Sequence, residues 1–500
     1  MKISNHYSNK PTTPNSTFQI ELAENLWASL EKLGARRRQV KMHILTMFFY
    51  KFLSDNSNYF DESAGRKGGK WNISKEISFD TLVLSQHKAN LGTDIHLLLD
   101  QVEQRNPILD GLLKQYDFND SRIFGDLQER DEILRTLIRL LASVDLSDTS
   151  VAIQYFEFLI DKMAIEGGKI GDDFQTPASL CRLMALLLQP RHGDSVYDPA
   201  CGSGGLLLSL VEEVNPNNPK TEIFGQESSL DIYNLARMNM MVHGIKDAHL
   251  ALGDSLNFPR FKEENHTKLQ QFDIVVSNPP ISMQNWRNPG IEENDRFDRF
   301  PWGVPPDSKS DFAFISHMIA SASEKNGRIG VITNHGALFR GGAEQKIRQG
   351  LVENNLLSAV IGLPGNLLEY TGIPVVVLLF EKGRKDDSGV LFIDCSQEFY
   401  TLGRRYSIKP EGIERTISTY LNFQKKEWKN ATMSGFSQIA TRNDIRNNNY
   451  NLSISRYIDP VITAHAIDVE KLEKEIIDLD KRIREIDEQM RNGLKDLGLQ

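Results

Sequence analysis

Cysteine is scarce: Cys181, Cys201 and Cys395 are the only three in 500 residues. They are too few and too scattered for a disulfide framework or a zinc site, so no metal is expected, and they suit a reducing cytoplasm. Long apolar runs are also missing. The most apolar stretch, Ile373–Phe380, is strand-sized and falls far short of the ~18 residues a membrane helix needs. Met1–Phe18 is polar and holds no apolar centre of a signal peptide, so a cytoplasmic chain without a membrane segment is expected. There is no excess of positive charge: 58 Lys and Arg face 67 Asp and Glu, a net −9, which argues against a simple basic coat for nucleic acid. Repeats and low-complexity tracts are absent too. What remains, 40% hydrophobic and 25% charged residues, is the composition of a folded globular chain of about three domains.

The patterning divides the chain into residues 1–165, 166–435 and 436–500. The first part reads as helical. Leu26, Trp27, Leu30 and Leu33 share one helix face; Val40–Leu53, Ile95–Val102, Asp131–Ala142 and Ser150–Leu159 repeat the spacing. Arg36-Arg37-Arg38 reads as a solvated turn, with a phosphate contact as the alternative. In the second part short β-type runs alternate with amphipathic stretches: Asp194–Asp198, Glu222–Gly225, Ala248–Leu252, Phe272–Ser277, Gly327–Thr333, Leu357–Gly362 and Val375–Phe380. That alternation predicts an α/β fold with a parallel, doubly wound sheet, whose ligands sit at the carboxyl ends of the strands. In the tail, Leu472, Ile476, Leu479, Ile483, Ile486 and Met490 step by four and three. This is a coiled-coil-like seam, either an amphipathic helix on its own domain or a helix that binds a partner.

Four features carry chemistry. Asp198-Pro-Ala-Cys-Gly-Ser-Gly-Gly205 stands between a strand and a helix, where glycines let the backbone approach a ligand and leave helix N–H groups free. It lacks the Gly-Lys-Ser/Thr ending of a phosphate-cradling loop. Glu227, about 20 residues on and at the end of the next strand, can accept hydrogen bonds from ribose hydroxyls; the plainer alternative is an acid placed at a helix N-terminus by the dipole. Asp254, in Gly253-Asp254-Ser255, either contacts an adenine ring or caps a turn. Finally, Ser277-Asn278-Pro279-Pro280 follows an apolar strand. Two prolines remove two donors and stiffen the backbone. The Asn278 side-chain oxygen and the Pro279 carbonyl then become two fixed acceptors for both hydrogens of an exocyclic amine, with no ionisable base required. Alone, the four residues are more often a plain Asn-Pro turn.

Taken in order, the four features resemble those of S-adenosylmethionine-dependent amino-methyltransferases that modify adenine N6 or cytosine N4 in DNA. More closely, the chain is similar to the modification (M) subunits of type I restriction-modification systems. Further blocks carry that resemblance: Phe174-Gln-Thr-Pro177, Gly336–Glu344 with Ile347-Arg348, Val360–Asn366, Thr371–Pro374, and Leu26-Trp27 with Phe49–Asp55. The resemblance implies a Rossmann-like methyltransferase sheet between a helical N-terminal domain and a C-terminal helical tail. It implies S-adenosyl-L-methionine held by Asp173, Phe174, Gln175, Thr176, Pro177, Ala178, Asp198, Ala200, Cys201, Gly202, Ser203, Glu227 and Asp254. Asn278, Pro279, Pro280 and Ile281 would hold the flipped-out adenine, and Asp311-Phe312 would help shape that pocket. The implied partners are double-stranded DNA, a specificity (S) subunit, a second M subunit and a restriction (R) subunit. The implied activity is that of an adenine-specific DNA methyltransferase.

One residue departs from the family pattern. An aromatic ring that stacks on the flipped base is replaced here by Ile281. Trp286, Phe297, Phe300 or Trp302, in the long, Pro-rich loop Met283–Lys309, could substitute, on a segment expected to be mobile and to face DNA. The alternative is a subunit with weak or no catalysis, acting as DNA clamp and cofactor sensor. Cytosine C5 chemistry would need a Pro-Cys nucleophile after a strand, a setting that none of the three cysteines has. A dehydrogenase would explain the glycine turn and Glu227 but not Asn278-Pro-Pro.

Overall fold

A computed structural model describes residues 17–32, 38–57, 71–166, 176–214, 221–264, 267–288, 295–368, 372–384, 388–402, 405–459, 478–486, 488 and 490–491. The N-terminal helices pack around Arg38–Asp55, a helix buried on nearly every side from Val40 onward, as an apolar sequence all round the helix requires. Its charges are compensated internally. Lys41 donates to the Met163 carbonyl; Lys51 pairs with Asp55, which also accepts the Leu146 N–H at 3.0 Å. Leu127–Ala142 begins at Asp126, whose carboxylate caps the N–H groups of Gln128 and Glu129 at 2.9 and 3.0 Å. It turns Leu134, Leu137, Ile138 and Leu141 inward. The predicted helices 95–102 and 150–159 lie inside Leu91–Arg105 and Thr149–Glu166. Leu33, Arg36 and Arg37 lie outside the described residues, and Arg38 opens a helix.

This helical part packs directly against the following domain. Leu235, Met238, Met241 and Val242, from the helix Leu230–Val242 of the following domain, belong to the same apolar cluster. The Tyr116 hydroxyl donates to Asp231 at 3.1 Å, and Arg237 donates to the carbonyls of Ile108 and Asp110 at 2.9 and 3.1 Å.

Nine strands among the described residues form one sheet: β1 (Ser195–Asp198), β2 (Glu222–Glu227), β3 (His249–Leu252), β4 (Ile274–Ser277), β5 (Arg328–Asn334), β6 (Leu357–Gly362), β7 (Val375–Glu381), β8 (Val390–Asp394) and, after the hairpin β9 (Phe399–Leu402) and β10 (Arg405–Ile408), β11 (Ser437–Ala440), in the order β11-β8-β6-β7-β5-β4-β1-β2-β3. Side chains alternate across it as a pleat demands. Ile274 and Val276 join the layer of Ala178–Leu188 and Gly205–Val214, and Val275 joins that of Asp311–Ala320.

The α/β fold is as expected, and all seven expected strands form, but the sheet is mixed. β7 runs antiparallel to both β5 and β6, and β11 antiparallel to β8. The Leu363 N–H bonds to the Val375 carbonyl at 3.0 Å, so the chain reverses directly after β6. With no crossover helix to carry it back across a face, the next strand can pair only in the opposite direction. The sheet also runs beyond residue 435, because β11 forms its outer edge; the separate C-terminal unit is Asp459–Gln500. Residues 478–486 of that unit are helical, with Leu479, Ile483, Ile486 and Met490 each more than half exposed; Leu472 and Ile476 lie outside the described residues. Among the described residues, no helix is long and apolar enough to cross a membrane.

Candidate active site

β3, β2, β1 and β4 are adjacent and parallel. The four segments that follow them therefore line one edge of the sheet. After β1, the Asp198 side chain turns inward and is 1% exposed. It accepts the Ala200 N–H at 2.9 Å and the Ser277 hydroxyl at 2.7 Å, so the glycine turn is tied to the last residue of β4. Burial pushes its carboxyl up to about 7, against the two hydrogen bonds that favour the charged form.

Gly202 and Gly204 take φ +54° and +87°, the left-handed region that glycine enters freely. A Cβ on Gly204 would come within 2.6 Å of the Met240 methyl, whereas one on Gly202 would meet nothing within 4 Å. One glycine is packed from behind; the other opens onto free space. Cys201 is buried against Gly225, where a Cβ would lie 3.0 Å from its sulfur, and burial holds its thiol well above the ordinary range. It is a packing residue.

Glu227 ends β2 and bridges two elements. Its carboxylate accepts the Gly202 N–H at 3.1 Å and the Ser229 N–H, at the start of Leu230–Val242, at 2.8 Å. Asp254 caps its own turn, accepting the Leu256 N–H at 2.8 Å and the Asn257 amide at 2.6 Å. The turn role is thus realised here.

After β4, the Asn278 amide nitrogen donates to the Thr176 hydroxyl at 3.0 Å. With its nitrogen committed in this way, Asn278 presents its oxygen as an acceptor. The Pro280 carbonyl accepts the Ser310 hydroxyl at 3.3 Å. Among the described residues, no protein donor reaches the Asn278 oxygen or the Pro279 carbonyl. Thr176 is placed by Pro177, which precedes the helix Ala178–Leu188 and caps it through the N–H groups of Leu180 and Cys181, both at 2.9 Å. Asp173, Phe174 and Gln175 lie outside the described residues.

Ile281 is partly buried against the core beneath the sheet. Of the four rings in the loop 283–309, both tryptophans are held by packing. Trp286 is 2% exposed and its indole N–H donates to the Pro306 carbonyl at 3.0 Å. Phe300 packs 5.9 Å from it, and Trp302 lies over Gly350, where a Cβ would strike the indole at 2.2 Å. Phe297 stays partly exposed between Arg296 and Arg299. The buried Arg299 pairs with Asp295 at 2.8 Å and donates to the Leu256 carbonyl at 2.7 Å. These ties fasten the described part of the loop to the body; Pro and charge content alone could not reveal them.

Sequence reasoning missed the side chains behind the Asn278 turn: Ser282, Asn334 and Arg340 gather around Asp311, and Glu344 pairs with Arg340. In the sequence, Gly336–Glu344 carries only the family resemblance and no legible physical role.

Residues 148–465 match the family described as N-6 DNA Methylase, and residues 20–141 match the HsdM N-terminal domain. The chain is 28% identical to the methylase subunit of the type I restriction enzyme MpnII of Mycoplasma pneumoniae, over 89% of this chain and 90% of that one. It is 29% identical to the MjaVII methylase subunit of Methanocaldococcus jannaschii, over 72% of this chain but only 62% of that relative's length. A crystal structure of a type I restriction-modification methyltransferase subunit from Streptococcus thermophilus superposes with a TM-score of 0.77 at 28% identity, covering 88% of this chain and all of that one.

Proposed function

The chain belongs to the N-6 DNA methylase family, and on that premise we propose that it is the modification subunit of a type I restriction-modification complex, methylating adenine N6 in DNA after the base leaves the duplex. The carrying observation is the Thr176–Asn278 hydrogen bond. It leaves the Asn278 oxygen and the Pro279 carbonyl as neighbouring acceptors, suited to the two hydrogens of an exocyclic amine. Held by both, the amine nitrogen is oriented without a base, and fixed dipoles stabilise the positive charge that grows on it.

The residues present fit S-adenosylmethionine. Gly202 opens onto free space in a left-handed turn, and Glu227 stands beside it at the end of β2, where a ribose acid belongs. Thr176–Ala178, Asp198, Ala200, the main chain at Cys201, Gly202, Ser203 and Glu227 would hold the cofactor, with Asp254 shaping the adenine end. When bound, it supplies an electrophilic methyl group. Asp198 ties the glycine turn to β4 and so keeps the two halves of the site in register. Sequence readout and most phosphate contacts fall to partners: a specificity subunit, a second copy of this chain and a restriction subunit.

A second reading rests on Ile281, which is seated against the core where the family has a stacking ring. On that reading the chain clamps DNA and senses cofactor with little catalysis. The test is methyl transfer to DNA by the co-purified complex, with adenine products identified by mass spectrometry. Asn278→Ala should lower the rate at least about 100-fold while cofactor affinity stays unchanged. Full activity in Asn278→Ala refutes the assignment; an inactive wild type favours the second reading.

A further inference from the structure

Asp311 opens the helix Asp311–Ala320, and its side chain is 1% exposed. Donors converge on it from three directions. From the end of the Asn278 turn, Ser282 brings its N–H at 3.2 Å and its hydroxyl at 3.4 Å. From β5, the Asn334 amide donates at 2.7 Å and the Thr333 hydroxyl at 3.4 Å. From the segment after β5, Arg340 donates at 2.6 Å.

The rest of the Arg340 fork is also committed: to Glu344 at 2.6 and 3.0 Å, and to the Asn334 oxygen at 3.1 Å. A Cβ on Gly336 would come within 2.2 Å of Arg340, so the bare glycine gives the guanidinium its place. Ser282 has φ +54°, a conformation that serine does not favour and that persists only where its surroundings hold it. Asp311 grips both of its polar groups, and a buried carboxylate is costly unless it is paired and hydrogen-bonded.

We propose that the Arg340–Asp311 pair, acting through Ser282, holds the Asn278–Ile281 turn in the geometry that receives the target amine, which makes Arg340 a positioning residue for methyl transfer. This rests on the reading of that turn as the amine site. Arg340 touches no reacting atom; it neutralises the carboxylate that clamps the turn's far end. A turn released there shifts its two acceptors relative to the methyl group, and misplacement of about 1 Å costs about 100-fold in rate.

The experiment uses the full chain co-purified with its partner subunits, and follows methyl transfer to DNA, cofactor affinity and thermal unfolding. Arg340→Gln should lower kcat about 30- to 100-fold, with the dissociation constant for S-adenosylmethionine within about twofold, because the glycine turn is untouched. Arg340→Lys, which keeps the charge but not the fork, should recover about tenfold of that loss. Wild-type turnover in Arg340→Gln, or a rate loss matched by lost cofactor binding, overturns the proposal. If Arg340→Gln does not fold, Ser282→Ala removes only a hydroxyl and leaves every charge in place. It should slow kcat about three- to tenfold with cofactor binding intact, and an unchanged kcat there overturns the proposal. Failure of the underlying reading looks different: Asn278→Ala would then retain activity, or the wild type would have none.

Discussion

The turn after β1 and the turn after β4 face the same edge of the sheet but are held by different means. The glycine turn is held through its main-chain groups, several of them by side chains of neighbouring elements: the Asn239 amide donates to the Ser203 carbonyl at 2.8 Å and the Ser255 hydroxyl to the Pro199 carbonyl. Cys201 N–H reaches the Gln226 carbonyl at 3.0 Å, Gly202 N–H reaches Glu227, and Gly204 closes on the Cys201 carbonyl at 2.8 Å, backed by Met240. The Asn278 turn relies on side chains: Thr176 in front, Ser310 beneath, and Asp311 with Arg340 behind. On the proposed function, a turn that lets a ligand approach its main chain has no room for side chains of its own and is locked through its N–H and carbonyl groups. A turn that must present carbonyl-type acceptors cannot spend them on its own stability, so neighbouring side chains lock it instead. The first should be sensitive to added bulk, and the second to lost polar groups.

That contrast can be broken at its seam, Asp198, which belongs to the glycine turn yet is bonded to Ser277 of β4. Its carboxyl titrates near 7 in the folded chain and in the ordinary acid range when unfolded. The folded state therefore keeps a proton that the unfolded state has lost. Stability from this group is greatest at low pH, falls as pH rises toward 7, and is level above it. Asp198→Asn keeps the acceptor and removes the titration. Relative to wild type it should gain about 3 kcal/mol between about pH 5 and pH 8, read from denaturant unfolding. Parallel pH profiles for the two proteins would show that the carboxyl is not held neutral.

Bulk is tested at Gly204→Val. A β-branched residue at φ +87° facing Met240 should cost about 2–3 kcal/mol. Gly202→Ala, which faces open space, should cost only about 1 kcal/mol. Equal losses would remove the distinction between the packed and the open glycine. The polar side is sharpened at Thr176: Thr176→Val should lower kcat about tenfold, about 1.4 kcal/mol, because the Asn278 amide is then free to turn, and Thr176→Ser should restore it. If valine and serine behave alike, the hydroxyl does not orient the amide.

Much of this site was legible in the sequence because its signals are local. A strand pattern, a glycine-rich turn and an Asn-Pro-Pro run each occupy a few consecutive residues, and their order along the chain becomes their order along the sheet edge. The readings that shifted depend on contacts. Trp286 and Trp302 look like spare rings in a polar loop until Pro306 and the bare face of Gly350 are seen to hold them. β11 looks like part of a tail until it pairs with β8.

By itself, then, the sequence determined the helical first part, the strand succession, the glycine turn and the Asn-Pro-Pro turn, since propensity, periodicity and proline chemistry act between near neighbours. Only the tertiary structure decided that β7 reverses, that Thr176 meets Asn278 across 102 residues, and that Ser282, Asn334 and Arg340 share one buried carboxylate. Such meetings are set by how strands and helices stack, and a hydrogen bond between distant residues leaves no mark in the spacing of either one's neighbours.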